Sequence, residues 1–407
     1  MERNYKPMVA MLVCLFYVFT GNAQLAKQDL NAPFGWANCS SATTGDDYTV
    51  TGGGQSENRV TLKSTGGDMR DVISNALKKH DIIVFDGSAG DFMLSSAVDM
   101  NELENKTIVG INGARLCTQF YITKDIRAAM NKANVMKASS SSGTGGTLSN
   151  GVTIGEEREL RTRQALIDFT GDATEAYRKA GILGIKHCNN IIIRNIKFVG
   201  PGSCDLGGSD LISATYTTHL WVDHCDFTDG MDGNFDITNE SDFITVSWCT
   251  FSYTKRAYDH MNTNLIGSND KRYDDAGKLH VTFANCIWGA GCAQRMPMVR
   301  FGTVHLVNNY YDCMGNMAAI NPRFSSSVLI DNNYFAPGVK KIFKENDAKA
   351  YTFIDNRYTE KFTQPADRGR VTVPYAYKAV YVADVPGMVT SKYGAGAKLK
   401  DPLKIGR

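Results

Sequence analysis

The sequence predicts an all-β fold, a right-handed parallel β-helix built as a single domain with loop insertions. Three observations predict it: a repeat of about 24 residues, β-branched and aromatic residues within each repeat, and a glycine-rich, proline-poor composition (38 Gly and 10 Pro in 407 residues). A repeat of this length is typical of a stacked solenoid, because one unit cannot bury its inward side chains alone. The β-branched and aromatic content favours strands over helices.

Each repeat has a β-rich run that ends in an anchor residue, and an aromatic residue follows three positions later. Most anchors stand about one period apart, with longer intervals before His224 and before Asn285, and only the last unit breaks the offset. Stacking is expected to align like residues, to let recurring Asn side chains bond along a ladder, and to give a right-handed coil through the usual crossover preference. The anchors are Asn195, His224, Trp248, Asn285, Asn308, Asn332 and Asn356.

The two longest spacings predict loops that leave the coil, with about 13 extra residues between Phe251 and Asn285 and about 5 before His224. Residues 125–178 fall outside the repeat and contain the low-complexity run 138–151, so we interpret them as an insertion. The segment from about 360 to 407 lacks the anchor. We expect it to pack along the outside of the coils.

The N-terminus has the pattern of a secretory signal peptide, residues 1–23. Arg3 and Lys6 precede the apolar run 8–19, and small residues favour cleavage near Ala23, leaving a mature domain 24–407. The run is too short to span a bilayer, and no later apolar stretch reaches membrane-spanning length. The sequence therefore predicts a secreted protein, periplasmic or extracellular, without a membrane span.

Export permits disulfides, yet the cysteines within β-rich runs are predicted to be buried thiols that act as small hydrophobes: Cys225, Cys249 and Cys286. Cys188 and Cys204 are the pair we consider for a bridge. The 44 basic and 42 acidic residues give a net charge of +2, which argues against a nucleic-acid partner. We expect a monomer.

Three aspartates form the first candidate site: Asp223 in WVDH, and Asp232 and Asp236 in DGNFD. Stacking could bring them together, and three carboxylates would repel one another unless a hard cation joined them. Oxygen ligands without His or Cys favour Ca²⁺ over zinc. The alternative is that they are ordinary turn aspartates next to Gly230 and Gly233.

A basic cluster follows on the same flank of the repeat: Lys255 and Arg256 after the third coil, then Arg295 and Arg300 in RMPMVRFG. Surface arginines are usually solvated or weakly paired. Adjacent acidic and basic groups nevertheless suit a polyanionic ligand, whose carboxylates a cation and arginines would hold together.

In their order and spacing, WVDH, DGNFDI, SDFITVSW, LIG (265–267) and RMPMVRFG with VH and VNNYY resemble the polysaccharide lyase family 1 pectate lyases. PFGWA (33–37), KTIVGING (106–113) and IIIRNIKF (191–198) support the resemblance, which covers most of residues 33–340. It implies a right-handed parallel β-helix. It also implies Ca²⁺-dependent cleavage of polygalacturonate, the acidic chain of pectin, by β-elimination.

By motif position, Asp223, Asp232 and Asp236 resemble the calcium ligands, Arg295 the base that removes the C5 proton, and Arg300 a binder of the substrate carboxylate. Lys255 best resembles the substrate-binding lysine. The interval that holds it, KRAYDHMNTN, is longer here than in the family, so Arg256 competes for that position. Asp210, in SDLIS, resembles a recurrent acidic position without an assigned role.

The implied reaction leaves a 4,5-unsaturated sugar, and an arginine base predicts an alkaline pH optimum. Three alternatives remain at this stage. A β-helical polygalacturonase would use two carboxylates as acid and base and leave the arginines unexplained. A pectin lyase would act on the methyl ester without calcium, and a glycan-binding solenoid would have no activity to lose.

Overall fold

The structure is a computed structural model that describes residues 32–45, 47–119, 123–125, 128, 164, 180–203, 210–257 and 260–405. The predicted signal peptide, most of the predicted insertion and Cys204 lie outside these residues. The fold prediction is confirmed. The described chain is a right-handed parallel β-helix whose strands form three parallel sheets, here called sheets I, II and III.

The strands of each sheet are given in spatial order. Sheet I contains β1 (Arg59–Lys63), β2 (Ile82–Asp86), β5 (Glu104–Ile111), β8 (Asn189–Arg194), β11 (Thr218–Asp223), β14 (Asp242–Ser247), β17 (His280–Ala284), β20 (Thr303–Val307), β23 (Ser327–Asp331) and β25 (Ala350–Ile354). Sheet II contains β4 (Val98–Asn101), β7 (Leu183–Lys186), β10 (Ile212–Thr215), β13 (Phe235–Thr238), β16 (Leu265–Ile266), β19 (Met298–Val299) and β22 (Asn321–Pro322). Sheet III contains β3 (Phe92–Leu94), β6 (Arg115–Thr118), β9 (Lys197–Val199), β12 (Asp226–Thr228), β15 (Thr250–Ser252), β18 (Ile287–Trp288), β21 (Tyr310–Tyr311), β24 (Tyr334–Phe335) and β26 (Arg357–Tyr358).

Helices contribute little to the described chain. The α-helices are α1 (Arg70–Lys79) and α2 (Val385–Thr390), and short 3-10 turns cover Gly35–Asn38, Gly87–Ala89, Tyr273–Asp275 and Val382–Asp384. A full coil passes from sheet II to sheet I to sheet III, as in β10, β11 and β12. Sequence neighbours therefore point to different sides of the molecule, whereas residues one period apart stack.

The anchor residues turn the chain from sheet I to sheet III, and this geometry explains why most of them are Asn. Their φ angles lie between 45° and 60° in every coil from Asn195 to Asn332. Asn tolerates this left-handed conformation better than most residues. In the last coil Asp355 occupies the turn, with φ of 45°, and not Asn356. The predicted anchor there is wrong by one residue, and the correction restores the offset to Tyr358.

The aromatic residues that follow the anchors form one continuous column inside the helix. Successive ring centroids are between 4.5 and 5.6 Å apart and the rings are nearly parallel. The stacking expected from the repeat is therefore confirmed. The column consists of Phe198, Phe227, Phe251, Trp288, Tyr311, Phe335 and Tyr358.

The residue after each anchor forms a second buried column. Its first part consists of the thiols of Cys225, Cys249 and Cys286, which are buried and free, as predicted. Its second part is an asparagine ladder: Asn309 Oδ1 accepts a hydrogen bond from the Cys286 amide (2.8 Å) and Asn333 Oδ1 accepts one from the Asn309 amide (3.0 Å). Cys188 is also a free, buried thiol.

Segments from both ends of the described chain cover the outer side of sheet I. The Trp36 amide donates to Thr282 Oγ1 (3.1 Å), and the Tyr375 hydroxyl lies 2.7 Å from the same oxygen. Farther along, Asn308 Nδ2 donates to the Lys378 carbonyl (2.9 Å), and the Leu399 amide donates to Asn195 Oδ1 (2.9 Å). The C-terminal segment thus lies against the coils, as predicted.

Candidate functional site

Successive strands of sheet II bring the candidate residues to one side of the helix. Asp210 stands just before β10, and Asp236 lies on β13 opposite Ser213 of β10. Arg295 precedes β19, and Arg300 follows it directly. Because β10, β13, β16 and β19 are consecutive in this sheet, these residues lie on three coils within a stretch of four.

Asp210 and Asp236 converge on Gly233. A Cβ atom at Gly233 would lie 2.7 Å from Asp210 Oδ1 and 2.9 Å from Asp236 Oδ1, distances that real Cβ atoms do not show. Glycine therefore leaves the room that lets both carboxylates approach. Asp210 Oδ2 accepts a hydrogen bond from Ser213 Oγ (2.7 Å), and Asp236 Oδ1 accepts one from the Leu265 amide (2.9 Å).

Burial and neighbouring carboxylates oppose the ionisation of both Asp210 and Asp236. Burial and the neighbouring Asp232 carboxylate raise the pKa of Asp210 to about 7. Burial and the charge of Asp210 raise the pKa of Asp236 well above its usual range, while Arg295 acts in the opposite direction on both. Like charges in a desolvated site are the physical cause, and such perturbed groups are frequent in functional sites.

Asp232 lies at the more open side of this cluster and contacts a histidine that sequence reasoning did not single out. Its Oδ1 is 2.5 Å from His260 Nε2, and the Asp232 side chain is 22% exposed. His260 belongs to the long interval 255–264, and the same imidazole nitrogen lies 2.7 Å from Asn262 Nδ2. The longer interval therefore folds back onto the acidic cluster.

The acidic cluster has the chemistry for a hard cation. Asp210 Oδ1 is buried and has no hydrogen-bond partner among the described residues, and carboxylate oxygens are the donors that Ca²⁺ takes in proteins. In the described part of the chain, no three His, Cys, Asp or Glu side chains are arranged closely enough to hold a metal ion. The fit to calcium rests on chemistry alone: the unpartnered oxygen and the carboxylate repulsion that a cation would relieve.

Asp223 does not belong to this cluster. It ends β11 on sheet I, in register with Arg194 and Ser247 of the adjacent coils, and is fully buried. Asp223 Oδ2 accepts hydrogen bonds from Arg194 Nε (2.8 Å) and His224 Nδ1 (2.7 Å), and Oδ1 accepts one from Ser247 Oγ (2.7 Å). Burial disfavours the charged carboxylate, but His224 and Arg194 outweigh it and lower the pKa of Asp223.

The prediction that stacking brings Asp223 beside Asp232 and Asp236 is therefore wrong. Both oxygens of Asp223 are already satisfied by protein donors, and the residue lies on a different sheet. Asp210 takes the third place in the cluster. The signal that could have found it is its separation along the chain from Asp232 and Asp236, which is close to one period of the repeat.

Arg295 is the arginine whose charge acts on the acidic cluster. Its backbone is in the left-handed region (φ 59°), and its carbonyl accepts a hydrogen bond from the Asn264 amide of the preceding coil (2.7 Å). This hydrogen bond fixes the backbone from which the side chain extends. Its Nε is buried without a hydrogen-bond partner among the described residues. Its charge acts on both Asp210 and Asp236, which places the guanidinium near the acidic cluster.

Arg300 is held by its surroundings. Its Nε donates to Asp270 Oδ1 (2.6 Å), and its Nη1 donates to the carbonyls of Gly267 (3.2 Å) and Ser268 (3.3 Å). Burial lowers the pKa of Arg300, the hydrogen bond with Asp270 opposes this change, and the neighbouring Arg323 and Arg295 charges add to it. Three arginines thus lie on this side of sheet II.

The candidate lysine and its competitor lie on one turn after β15. Lys255 is exposed, whereas Arg256 points its Nη1 toward Asp229 Oδ2 (3.9 Å) and donates to the Gly200 carbonyl (3.4 Å). Arg256 is therefore engaged with the preceding coils, and Lys255 is the more exposed of the two.

Comparison with known proteins points to one family. A family model described as pectate lyase matches residues 156–396, more than half of the chain. Pectate lyase A of Aspergillus niger is 33% identical over 232 residues, which cover 55% of this chain and 67% of that protein. The probable pectate lyase B of Aspergillus terreus is 33% identical over 229 residues, covering 53% of this chain and 66%, just under two thirds, of that protein.

Solved structures agree on the fold. A Bacillus subtilis pectate lyase superposes with a TM-score of 0.57 at 19% identity, covering 91% of this chain and 98% of that chain. A pectate lyase bound to a hexasaccharide gives a TM-score of 0.57 at 20% identity, covering 91% and 99%. At these identities the likeness supports the parallel β-helix and nothing finer.

Proposed function

Because the chain belongs to the pectate lyase family, we propose that it is a secreted, Ca²⁺-dependent pectate lyase that cleaves α-1,4-polygalacturonate by β-elimination. The observation that carries the proposal is the arrangement beside sheet II. There, Arg295 has a buried nitrogen without a partner among the described residues and acts electrostatically on two carboxylates of raised pKa, Asp210 and Asp236. Arginines and carboxylates placed side by side in this way suit a polymer with a carboxylate on every sugar.

The proposed reaction begins with the C5 proton of a uronic acid. Arg295 in its neutral form accepts that proton, and Arg300 and Lys255 bind the substrate carboxylate, so that negative charge can develop next to it. The electron pair of the broken C5–H bond forms the C4–C5 double bond as the bond from C4 to the glycosidic oxygen breaks. The leaving oxygen takes a proton from solvent, and the new non-reducing end is a 4,5-unsaturated sugar.

Calcium completes the proposal. Asp210, Asp232 and Asp236 would hold the ion, and Asp223 would not. A Ca²⁺ ion held by these residues would supply positive charge for the uronate carboxylate, which would lower the energy of the charge that develops at C5. The Asp210 oxygen that lacks a partner in the described chain and the raised pKa values of Asp210 and Asp236 support this assignment.

The proposed location is outside the cytoplasm, and it rests on the signal-peptide pattern of residues 1–23. In the residues that the structure describes, no helix is long and apolar enough to cross a membrane. The proposed partner is pectin or polygalacturonate, and we propose a monomer. An arginine base must lose its proton to act, so activity is expected to rise from neutral to alkaline pH.

The proposal is tested by the ultraviolet absorbance of the unsaturated product. The protein is incubated with polygalacturonate at alkaline pH, first with Ca²⁺ and then with EDTA. We expect absorbance to rise with Ca²⁺ and to stop rising when EDTA is added, and we expect esterified pectin to be a poorer substrate. New reducing ends without absorbance would indicate a hydrolase. A pH profile that peaks below neutrality would contradict Arg295 as the base.

A second prediction concerns Asp210→Asn. In the metal-free folded protein Asp210 keeps its proton up to about pH 7, whereas the unfolded chain releases it near pH 4. The raised pKa therefore costs stability as the pH rises between these values. Asn carries no such cost, so at pH 8 the metal-free variant should be more stable than the wild type by about 1 to 3 kcal/mol. The measurement is chemical denaturation.

The same variant should lose the increase in unfolding temperature that Ca²⁺ gives the wild type, because binding to the folded state alone is what produces that increase. Asp99→Asn is the control: Asp99 is exposed on β4 of the same sheet. An Asp210→Asn protein that Ca²⁺ stabilises as much as the wild type would remove Asp210 from the calcium site.

A further inference from the structure

A well-anchored loop, residues 268–279, leaves the coil after β16 and lies at the edge of sheet II. Arg272 Nη2 donates to the Tyr216 hydroxyl (2.6 Å), and the Glu240 amide donates to the buried carboxylate of Asp275 (2.7 Å). The Leu279 amide then donates to the Ser241 carbonyl (3.0 Å) as the chain returns to sheet I. Contacts with the two preceding coils thus fix the loop that carries Asp270.

Asp270 lies between two arginines of successive coils. Arg300 follows β19 and Arg323 follows β22, and these strands pair in register, so both arginines occupy the same position one coil apart. Neighbouring strands are about 4.8 Å apart, and two guanidinium groups at that spacing repel each other. Asp270 Oδ1 binds Arg300 Nε at 2.6 Å, and its Oδ2 lies 3.6 Å from Arg323 Nη2.

Both arginines keep donors in reserve. Within the described part of the chain, the hydrogen bonds of Arg300 use Nε and Nη1 and leave Nη2 for a ligand. Arg323 pairs with Asp270 through Nη2 and leaves Nη1, while its Nε is buried out of a ligand's reach. The side chains of Arg300 and Arg323 are 12% and 33% exposed. A ligand can therefore reach the guanidinium groups, while their contacts with Asp270 restrict their movement. A guanidinium that is fixed on one edge and open on the other is prepared for a carboxylate.

We propose that Asp270 is a positioning residue that holds Arg300 and Arg323 side by side as one receptor for the uronate carboxylates of the substrate. Asp270 touches no reacting atom and acts only through the two arginines. The inference rests on the proposed function, because it takes polygalacturonate as the ligand. It adds Arg323 as a second arm of the receptor, which no sequence motif indicated.

Two possible roles of Asp270 predict opposite changes in substrate affinity when its carboxylate is removed. If Asp270 only adds negative charge beside the two arginines, its removal should strengthen the binding of a polyanion. If Asp270 positions the arginines, its removal should weaken binding, because the side chains then lose the geometry that was fixed before the substrate arrived. The direction of the change in affinity therefore decides between them.

The test is Asp270→Asn, with KM and kcat measured on polygalacturonate and the dissociation constant of trigalacturonate measured by calorimetry in an Arg295→Ala background. We expect KM and the dissociation constant to rise about tenfold and kcat to change less than about threefold. Asp270→Glu, which keeps the charge, should recover part of the loss. Asp274→Asn is the matched control, because Asp274 is exposed in the same loop.

Arg323→Gln gives an independent test. It should raise KM as well, and combining it with Asp270→Asn should cost less than the two single effects together, because both changes remove one arrangement. An unchanged or lowered KM in Asp270→Asn, with a lyase-active wild type, overturns the positioning role and leaves the proposed function intact. A wild type that neither cleaves polygalacturonate nor binds trigalacturonate overturns both.

Discussion

Replacement of Arg295 by alanine is expected to lower kcat/KM on polygalacturonate by about three orders of magnitude, the range that a positioned general base contributes. The side chain would be the only group that accepts the C5 proton in the proposed reaction, and its buried Nε has no hydrogen-bond partner among the described residues. Its loss therefore breaks no hydrogen bond at that nitrogen. We expect the variant to fold and to keep its calcium-dependent gain in thermal stability.

The measurement is initial rate by product absorbance, with the unfolding temperature recorded for each protein. Arg370→Ala serves as the control, because Arg370 is exposed on the C-terminal segment. An Arg295→Ala protein that keeps a tenth or more of wild-type activity would show that another group removes the proton. A variant that loses activity together with its fold would be replaced by Arg295→Lys for the same comparison.

Asp223→Asn should destabilise the protein strongly and leave calcium binding unchanged. Asp223 is fully buried and joins Arg194, His224 and Ser247 through three hydrogen bonds. Removing the charge takes the Asp223 carboxylate away from the buried Arg194 guanidinium, and breaking a buried pair in this way costs about 3 to 5 kcal/mol. Chemical denaturation measures the loss, and calorimetric titration of the folded variant measures Ca²⁺ affinity.

Asp236→Asn is the variant to compare with Asp223→Asn, because burial and the charge of Asp210 raise the pKa of the Asp236 carboxyl group. It should lose calcium binding with little loss of stability in the metal-free state. If Asp223→Asn abolished calcium binding in a protein of normal stability, the assignment of Asp223 to a structural network would be wrong.

The repeat carried most of the information about the fold. A regular period with an aromatic residue after each anchor led directly to stacked coils, and the column from Phe198 to Tyr358 shows that stacking. Asn recurs at two neighbouring positions for two physical reasons. The anchor residue adopts positive φ, and in the later coils the residue after the anchor forms hydrogen bonds along the ladder. The sequence alone could not separate these two columns, and this is why Asp355 was missed.

The site was predicted less completely because proximity in the chain was taken for proximity in space. Asp223 and Asp236 are separated by about half a coil of chain, so they lie on different sheets. The same period places Asp223 on Ser247 of the next coil and brings Asp210 near Asp232 and Asp236. Asp270 could not be foreseen, since it lies in a loop outside the repeat and no period locates it. Arg323 follows Arg300 by one coil, so the repeat could have located it.

The stacking of the coils, which the aromatic column shows, has a consequence for the order in which they unfold on heating. Each coil is held chiefly by its neighbours, so the end coils should fray first while the interior of the stack stays intact. The candidate site spans the coils from β10 to β22, with complete coils below it and β25 and β26 above it. The end coils can therefore unfold first on heating while the coils that carry the candidate site stay folded.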